Sequence, residues 1–479
     1  MTHQSTPSPA SSQLVLNPHN REDRRVAVAT LVGTTVEWYD FFIYSNAVAL
    51  VFGPLFFEPL AKENTVLAQL IGFATVGISF FFRPLGAMVA GHLGDKIGRK
   101  AMMVATLLLM GGATVLVGCL PTYASIGMAA PFLLIALRIL QGFAAGGEWG
   151  GAALMAVEHA PAKRRGWFGG FPQVGVPLGM LTATAVLAIV HVISRDQFTT
   201  WGWRIPFLLS VVLIIVGMLI RLKVSESPIF EEVRNEEDQL RLPIVQLFRF
   251  NGKQVVLGAL AFMGNGVAGY MVTGGYILAY TSGPGGLGVS AEHMLTLITI
   301  ASALWVCSTL FAAWISDRIG RVRTFQIGFV LQLLWVFPLF MFVDRGQIGL
   351  IALGMLPLTL GLGLTYGPQS AMFAEMFPAR VRYSGAGMAY AIGAILGGAF
   401  APMIATWLRA TFHTSMAVST YLFIFTAIGM VGVSLIKDRT GKPLGRDAND
   451  IPGNAELEAA VTAHSVSGTK ATFERGAGW

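Results

Sequence analysis

The stretch Gly91-His92-Leu93-Gly94-Asp95-Lys96-Ile97-Gly98-Arg99-Lys100 joins two long apolar runs, and its core returns 222 residues later as Asp317-Arg318-Ile319-Gly320-Arg321. A second pattern repeats at nearly the same distance: Glu158-x-x-Pro161-x-Lys163-x-Arg165 is matched 217 residues later by Glu375-x-x-Pro378-x-Arg380-x-Arg382. Two different motifs with similar offsets read as an internal duplication. Glycines at each end of the first stretch permit a tight turn, and Asp95 with its basic neighbours can pair with charges on adjoining loops. A loop that only fixed orientation in a membrane would need Lys and Arg, but neither Asp95 nor spaced glycines.

Around these motifs the chain is too apolar to build a soluble surface. Of its 479 residues 54% are hydrophobic and 12% charged, with a mean hydropathy of +0.62, whereas a soluble domain carries about a quarter charged residues. Apolar runs of the roughly 20 residues that a bilayer requires are centred near Asp40, Val76, Leu108, Ile139, Leu178, Leu213, Ala268, Ala303, Leu334, Pro357, Ala394 and Phe425. Lys and Arg gather in alternate loops, at Arg21, Arg24 and Arg25, at Lys96, Arg99 and Lys100, and at Lys163, Arg164 and Arg165. Both termini are therefore expected in the cytoplasm. These loops account for the net charge of +7, so no nucleic-acid partner is implied. Cys119 and Cys307 lie in apolar runs without metal or redox spacing and read as small packing residues. No H-E-x-x-H, Ser-His-Asp or phosphate-loop pattern occurs. An enzyme, a metal site, an organic cofactor and an ATP-driven pump are all disfavoured.

The fold class expected is an all-α integral membrane protein with twelve transmembrane helices in two pseudo-symmetric six-helix bundles, residues 26–223 and 254–438. A cytoplasmic loop, 224–253, joins them and holds the acidic stretch Glu231, Glu232, Glu236, Glu237 and Asp238. The polar tails 1–25 and 439–479 cannot bury enough apolar surface to fold alone and are expected to be disordered. The apolar stretch from Val26 to Phe52 is too long for a signal-peptide core and should remain as the first span. Parallel duplicated halves suit a rocking secondary transporter with its substrate near the midplane between them.

Charges inside spans are retained chiefly where they pair or face a polar cavity, because each costs roughly 2.5–3.5 kcal/mol at a helix centre. Glu37 and Asp40, at i and i+3 of the first span, are candidates for reversible proton binding. Arg138 lies near the middle of the fourth span, and Arg83 and Glu148 are further intramembrane charges. A guanidinium cannot be discharged in lipid. Arg138 is thus expected to pair with Asp40 or Glu37 when substrate is absent, and with a carboxylate substrate when one arrives. Gln141, Tyr44, Gln173, Asn265, Tyr276, Tyr366, Gln369 and Tyr390 are polar or amphipathic span residues that could line the substrate cavity with it. Gly142, Gly146 and Gly150 share one helical face and read as a close-packing surface.

The Asp95 stretch resembles the loop motif of the major facilitator superfamily throughout its length; the second copy departs from it at Ala313 and Val322. Val36-Glu37-Trp38-Tyr39-Asp40-Phe41, Arg83-Pro84-Leu85-Gly86, Gly146-Gly147-Glu148-Trp149-Gly150 and Trp201-Gly202-Trp203-Arg204-Ile205-Pro206-Phe207 resemble its metabolite:proton symporter branch, which includes bacterial shikimate transporters and their relatives. The resemblance implies the major facilitator fold in the bacterial inner (plasma) membrane and, as function, proton-coupled uptake of a small organic acid by alternating access, driven by the proton gradient; we expect a monomer. It also implies a cytoplasmic gate built from Asp95, Arg99, Glu158, Arg165, Asp317, Arg321, Glu375 and Arg382, joined by Glu226. A zwitterionic osmolyte (proline or betaine) symporter is the alternative, disfavoured by a C-terminal tail without heptads. A non-transporting membrane receptor is the alternative from another class. Gly175-Val176-Pro177-Leu178-Gly179 does not supply the signature of drug antiporters, so export is disfavoured.

Overall fold

The computed structural model describes residues 21–59, 61, 64–97, 99–146, 153–154, 156–158, 160–222, 243–273, 275–379, 381–444, 451–453 and 455–456. Among these residues all regular structure is helical. That follows from lipid, which offers no partner to a backbone N–H or C=O, so each span must satisfy its own. The principal helices are α1 (Arg21–Ala47), continued by π-helical Val48–Phe57; α2 (Thr65–Ile97); α3 (Arg99–Cys119); α4 (Ala129–Ala145); α5 (Arg165–Ser194); and α6 (Arg204–Leu222). The second set is α7 (Pro243–Thr273); α8 (Ala291–Ile319); α9 (Arg321–Val343); α10 (Ile348–Tyr366), continued by Gln369–Met376; α11 (Arg382–Ala394), continued by Ile395–Ala399 and Ala401–Phe412; and α12 (Met416–Ser434). Eight helical stretches are long and apolar enough to cross a membrane, and shorter apolar helices lie within α3, α4 and α6; α7 completes the set of twelve. Outward faces carry Phe132, Ile193 and Leu334, all largely exposed, as lipid-facing surface requires. Cys119 and Cys307 are also exposed rather than packed.

The packing repeats as the motifs do. α1 lies against α5 and α7 against α11; α2 against α4 and α8 against α10; α3 against α6 and α9 against α12. Between the halves, α5 runs along α8 and α2 along α11. These two seams exchange under a shift of six helices, as a two-fold axis between the bundles demands.

Within the first half, α2 and α4 approach so closely that a Cβ on Gly142 would collide with the Ser79 carbonyl, and one on Gly86 with that of Phe143. Backbone atoms cannot step aside. Gly142→Ala is therefore expected to separate the two helices and sharply reduce the yield of monodisperse protein in detergent. Wild-type yield and melting temperature would show that the approach is not needed.

Three boundaries differ from the sequence reading. α1 begins at Arg21, inside the expected tail 1–25, and α7 begins at Pro243, inside the expected loop 224–253, bending at Asn251 where the backbone leaves helical geometry. The tail after 438 is not wholly free. Asp438 Oδ2 accepts from the Val322 N–H at 3.1 Å, Thr440 Oγ1 from the Arg321 N–H at 3.1 Å, and the Leu444 carbonyl from Arg382 Nη2 at 2.7 Å. The Lys442 carbonyl accepts from Arg165 Nη1, and that of Pro452 from Asn251 Nδ2 at 2.6 Å. Buried guanidinium groups have five donors each, and the tail's carbonyls take one from Arg165 and one from Arg382. Glu148, Glu226 and the side chains of Asp95 and Arg99 lie outside the described residues.

Candidate functional site

Six side chains named from the sequence converge inside the first half. Glu37, Asp40, Arg83, Arg138 and Gln141 line one void of ≈ 20 Å³, with Ser79 among them, and Tyr44 packs beside Arg138. That is room for about one water. One turn of α1 aims Glu37 at Arg83 of α2, Nη1 to Oε1 3.8 Å, while Asp40 Oδ1 accepts from Ser210 of α6 at 2.7 Å. Arg83 also lies over the rings of Phe80 and Trp38, 4.6 and 5.5 Å from their centroids.

Arg138 is fully buried on α4. Nη1 donates to Gln141 Oε1 at 2.8 Å and Nη2 to Ser79 Oγ at 3.1 Å, and its guanidinium carbon stands 3.9 Å from the Tyr44 ring centroid. Tyr44 is fixed in turn by Thr75, 2.6 Å between hydroxyls, and Gln141 by Thr114 at 2.7 Å. The expected ion pair between Arg138 and Asp40 or Glu37 is not formed among the described residues. Neutral acceptors and a π face hold the cation instead, an arrangement worth about 2 kcal/mol when desolvated and leaving its charge uncompensated at contact range.

The other named residues divide. Tyr390 of α11 lies within electrostatic reach of Tyr366, Arg83 and Glu37, so the second half comes near the first at the ion pair. Gln173 Nε2 crosses from α5 to the Tyr366 carbonyl at 3.1 Å. Asn265 Oδ1 accepts from Thr365 at 2.5 Å within the second half. Gln369 is buried on the α10 extension with no hydrogen-bond partner for its amide among the described residues. Tyr276 does not join them: it lines a separate cavity of ≈ 340 Å³ between α2 and α11 at the face remote from the termini. The positioning hydroxyls of Thr75, Ser79, Thr114 and Ser210 escaped the sequence reading. Three of the four also bond a carbonyl three or four residues back, which hydroxyls in any span do.

Both faces are tied across the halves. On the terminus-bearing face, Asp317 of α8 accepts the N–H groups of Gly166 and Trp167 at 2.8 and 2.9 Å, capping the N-terminus of α5. Arg321 holds Asp317 at 2.7 Å and Glu375 at 3.4 Å, and Arg382 reaches across to Glu158 at 3.1 Å. At the opposite face Gln69 Nε2 donates to the Pro284 carbonyl at 3.2 Å, and Gly275, at φ +85°, rests where a Cβ would strike the Ser45 carbonyl.

The sequence profile of the Major Facilitator Superfamily matches residues 31–402. The chain is 38% identical over 417 residues to the Escherichia coli (strain K12) inner membrane metabolite transport protein YhjE, covering 86% of this chain and 93% of that one. It is 36% identical over 424 residues to the shikimate transporter of the same organism, covering 87% and 94%, and 32% identical over 427 residues to a putative proline/betaine transporter of Staphylococcus aureus (strain COL), covering 88% and 90%. Among solved structures, the proton:xylose symporter XylE bound to 6-bromo-6-deoxy-D-glucose superposes with a TM-score of 0.69 at 18% identity, covering 88% of this chain and 98% of that one. With its duplicated helical bundles, lipid-facing apolar surface and buried charges, the chain belongs to the Major Facilitator Superfamily and is a multi-pass membrane transport protein, not an enzyme.

Proposed function

We propose that this protein is an inner-membrane symporter that takes up a small organic acid together with protons, both termini lying in the cytoplasm. The observation that carries the reading is the buried Arg138, which has polar and aromatic contacts but no carboxylate at contact range among the described residues. A carboxylate substrate would complete it, and a shikimate transporter among the relatives agrees with that chemistry. Asp40 and Glu37 are the two candidate proton-binding groups on this reading, Asp40 the preferred one, and Gln141, Tyr44, Tyr390 and Tyr366 flank the acid. Purified protein in liposomes should accumulate a labelled organic acid when an inward proton gradient is imposed, and lose that accumulation when a protonophore is added. Accumulation of betaine but of no organic acid would favour the osmolyte alternative, and ligand binding without accumulation a receptor.

Alternating access requires the terminus-bearing closure to break. Because Asp317 both caps α5 and pairs with Arg321, Asp317→Asn should weaken it and shift the population towards states open on that face. Single-cysteine labelling from each side would read this as a several-fold rise in accessibility from the terminus-bearing side. An unchanged ratio would leave Asp317 a role in folding only.

A further inference from the structure

The ≈ 340 Å³ cavity at the opposite face is lined from both halves, by Thr65 and Gln69 of α2, by Tyr276 and Tyr280, and by Arg409 and His413 at the end of α11. Among the described residues its lining includes a guanidinium and an imidazole and no carboxylate. Arg409 lies over the Tyr280 ring, 4.1 Å from its centroid, and among the described residues no acid pairs with it. The nearby acid, Asp344, accepts from the Tyr280 hydroxyl and from Ser415 Oγ, both at 2.5 Å, and makes no ion pair with Arg409 among the described residues. The Tyr276 hydroxyl belongs to a side chain 2% exposed and has no hydrogen-bond partner among the described residues. A buried hydroxyl in a lined cavity beside a cation that no carboxylate contacts among the described residues is a donor set prepared for an anion.

We propose that this cavity is an entry subsite that captures a carboxylate anion before the halves part. Arg409 supplies the charge, Tyr276 donates its hydroxyl, and Gln69, on the other wall, links occupancy to the contact with Pro284 that closes this face. The inference rests on the organic-acid reading for its ligand but not for its geometry. An acidic lipid headgroup presents the same chemistry, so the test separates the two.

The experiment places an environment-sensitive fluorophore on Thr406→Cys, in the cavity lining, after Cys119→Ser and Cys307→Ser, with the full chain in nanodiscs of phosphatidylcholine alone. Titration with shikimate and with benzoate should change the emission saturably. Arg409→Gln should weaken the apparent Kd at least tenfold and Tyr276→Phe by a few-fold, while Arg138→Gln, which alters the inner site, leaves the response intact. A response abolished by Arg138→Gln but not by Arg409→Gln would overturn the proposal, since the label would then report the inner site. A response to added phosphatidylglycerol but to neither acid would also overturn it, assigning the cavity to lipid. Should the label respond to carboxylates while wild-type protein accumulates no organic acid in liposomes, the subsite stands and the transport reading fails.

Discussion

Asp40→Asn should abolish uphill uptake, lowering the accumulation ratio to about one, while counterflow exchange of substrate continues within a few-fold of the wild-type rate. Exchange needs no net proton movement. The structure separates the two carboxylates of α1 by their partners. Glu37 faces Arg83 at 3.8 Å, so a proton on Glu37 would leave a buried cation uncompensated, a costly event in low dielectric. Asp40 is bonded to neutral Ser210, and its protonation strands no contacting cation. Asparagine keeps the acceptor for Ser210 and loses only the titratable group, so folding should survive. Glu37→Gln is expected to lower the amount of folded protein as well, by releasing Arg83. Full proton-driven accumulation in Asp40→Asn would remove Asp40 from the coupling mechanism, and loss of both accumulation and exchange would make it structural.

Arg138→Gln should weaken carboxylate binding about a hundredfold, since hydrogen bonds to a charged group contribute roughly 1.5–3 kcal/mol each. Arg138→Lys keeps the charge but not the planar fork, and a loss of about tenfold is expected. Titration calorimetry on purified protein measures both, with circular dichroism and size-exclusion behaviour showing that the variant is correctly folded. The pairing with Gln141, three residues on along α4, gives a control. Gln141→Ala removes a neutral acceptor without touching the charge and should cost less than either change at Arg138. Unaltered affinity in a well-folded Arg138→Gln protein would assign the arginine to helix packing.

Much of this architecture is legible in the chain because its causes are local. Apolar runs of sufficient length must become helices in lipid, and the repeated Asp-x-Ile-Gly-Arg and Glu-x-x-Pro patterns announce the duplication before any contact is known. That buried charges need polar company follows from the high cost of stray charge in a membrane, but which charges pair does not: Arg138 reads as the partner of Asp40 or Glu37, and the structure gives Glu37 to Arg83. What escaped was rotational and long-range. Tyr276 reads like Tyr366 or Tyr390 in sequence, yet the helix break at Gly275 turns it towards the outer cavity. Ser210 sits 170 residues from the carboxylate it contacts and carries no mark of its own. Arg409 reads only as a lone positive charge on the sparsely charged side, because the cavity it lines is a property of the folded surface.

The segment that follows α12 shows why some contacts leave no trace in a motif. Arg165, Arg382 and Asn251 hold the carbonyl oxygens of Lys442, Leu444 and Pro452, a group that all twenty amino acids share. Recognition of that kind constrains spacing and leaves spelling free. Deletion of two residues between Thr440 and Leu444 would put the carbonyls of Lys442 and Leu444 out of step with Arg165 and Arg382. Such a segment can drift in much of its composition over long times while its length stays fixed, and Arg165, Arg382 and Asn251 would be the durable record of its presence.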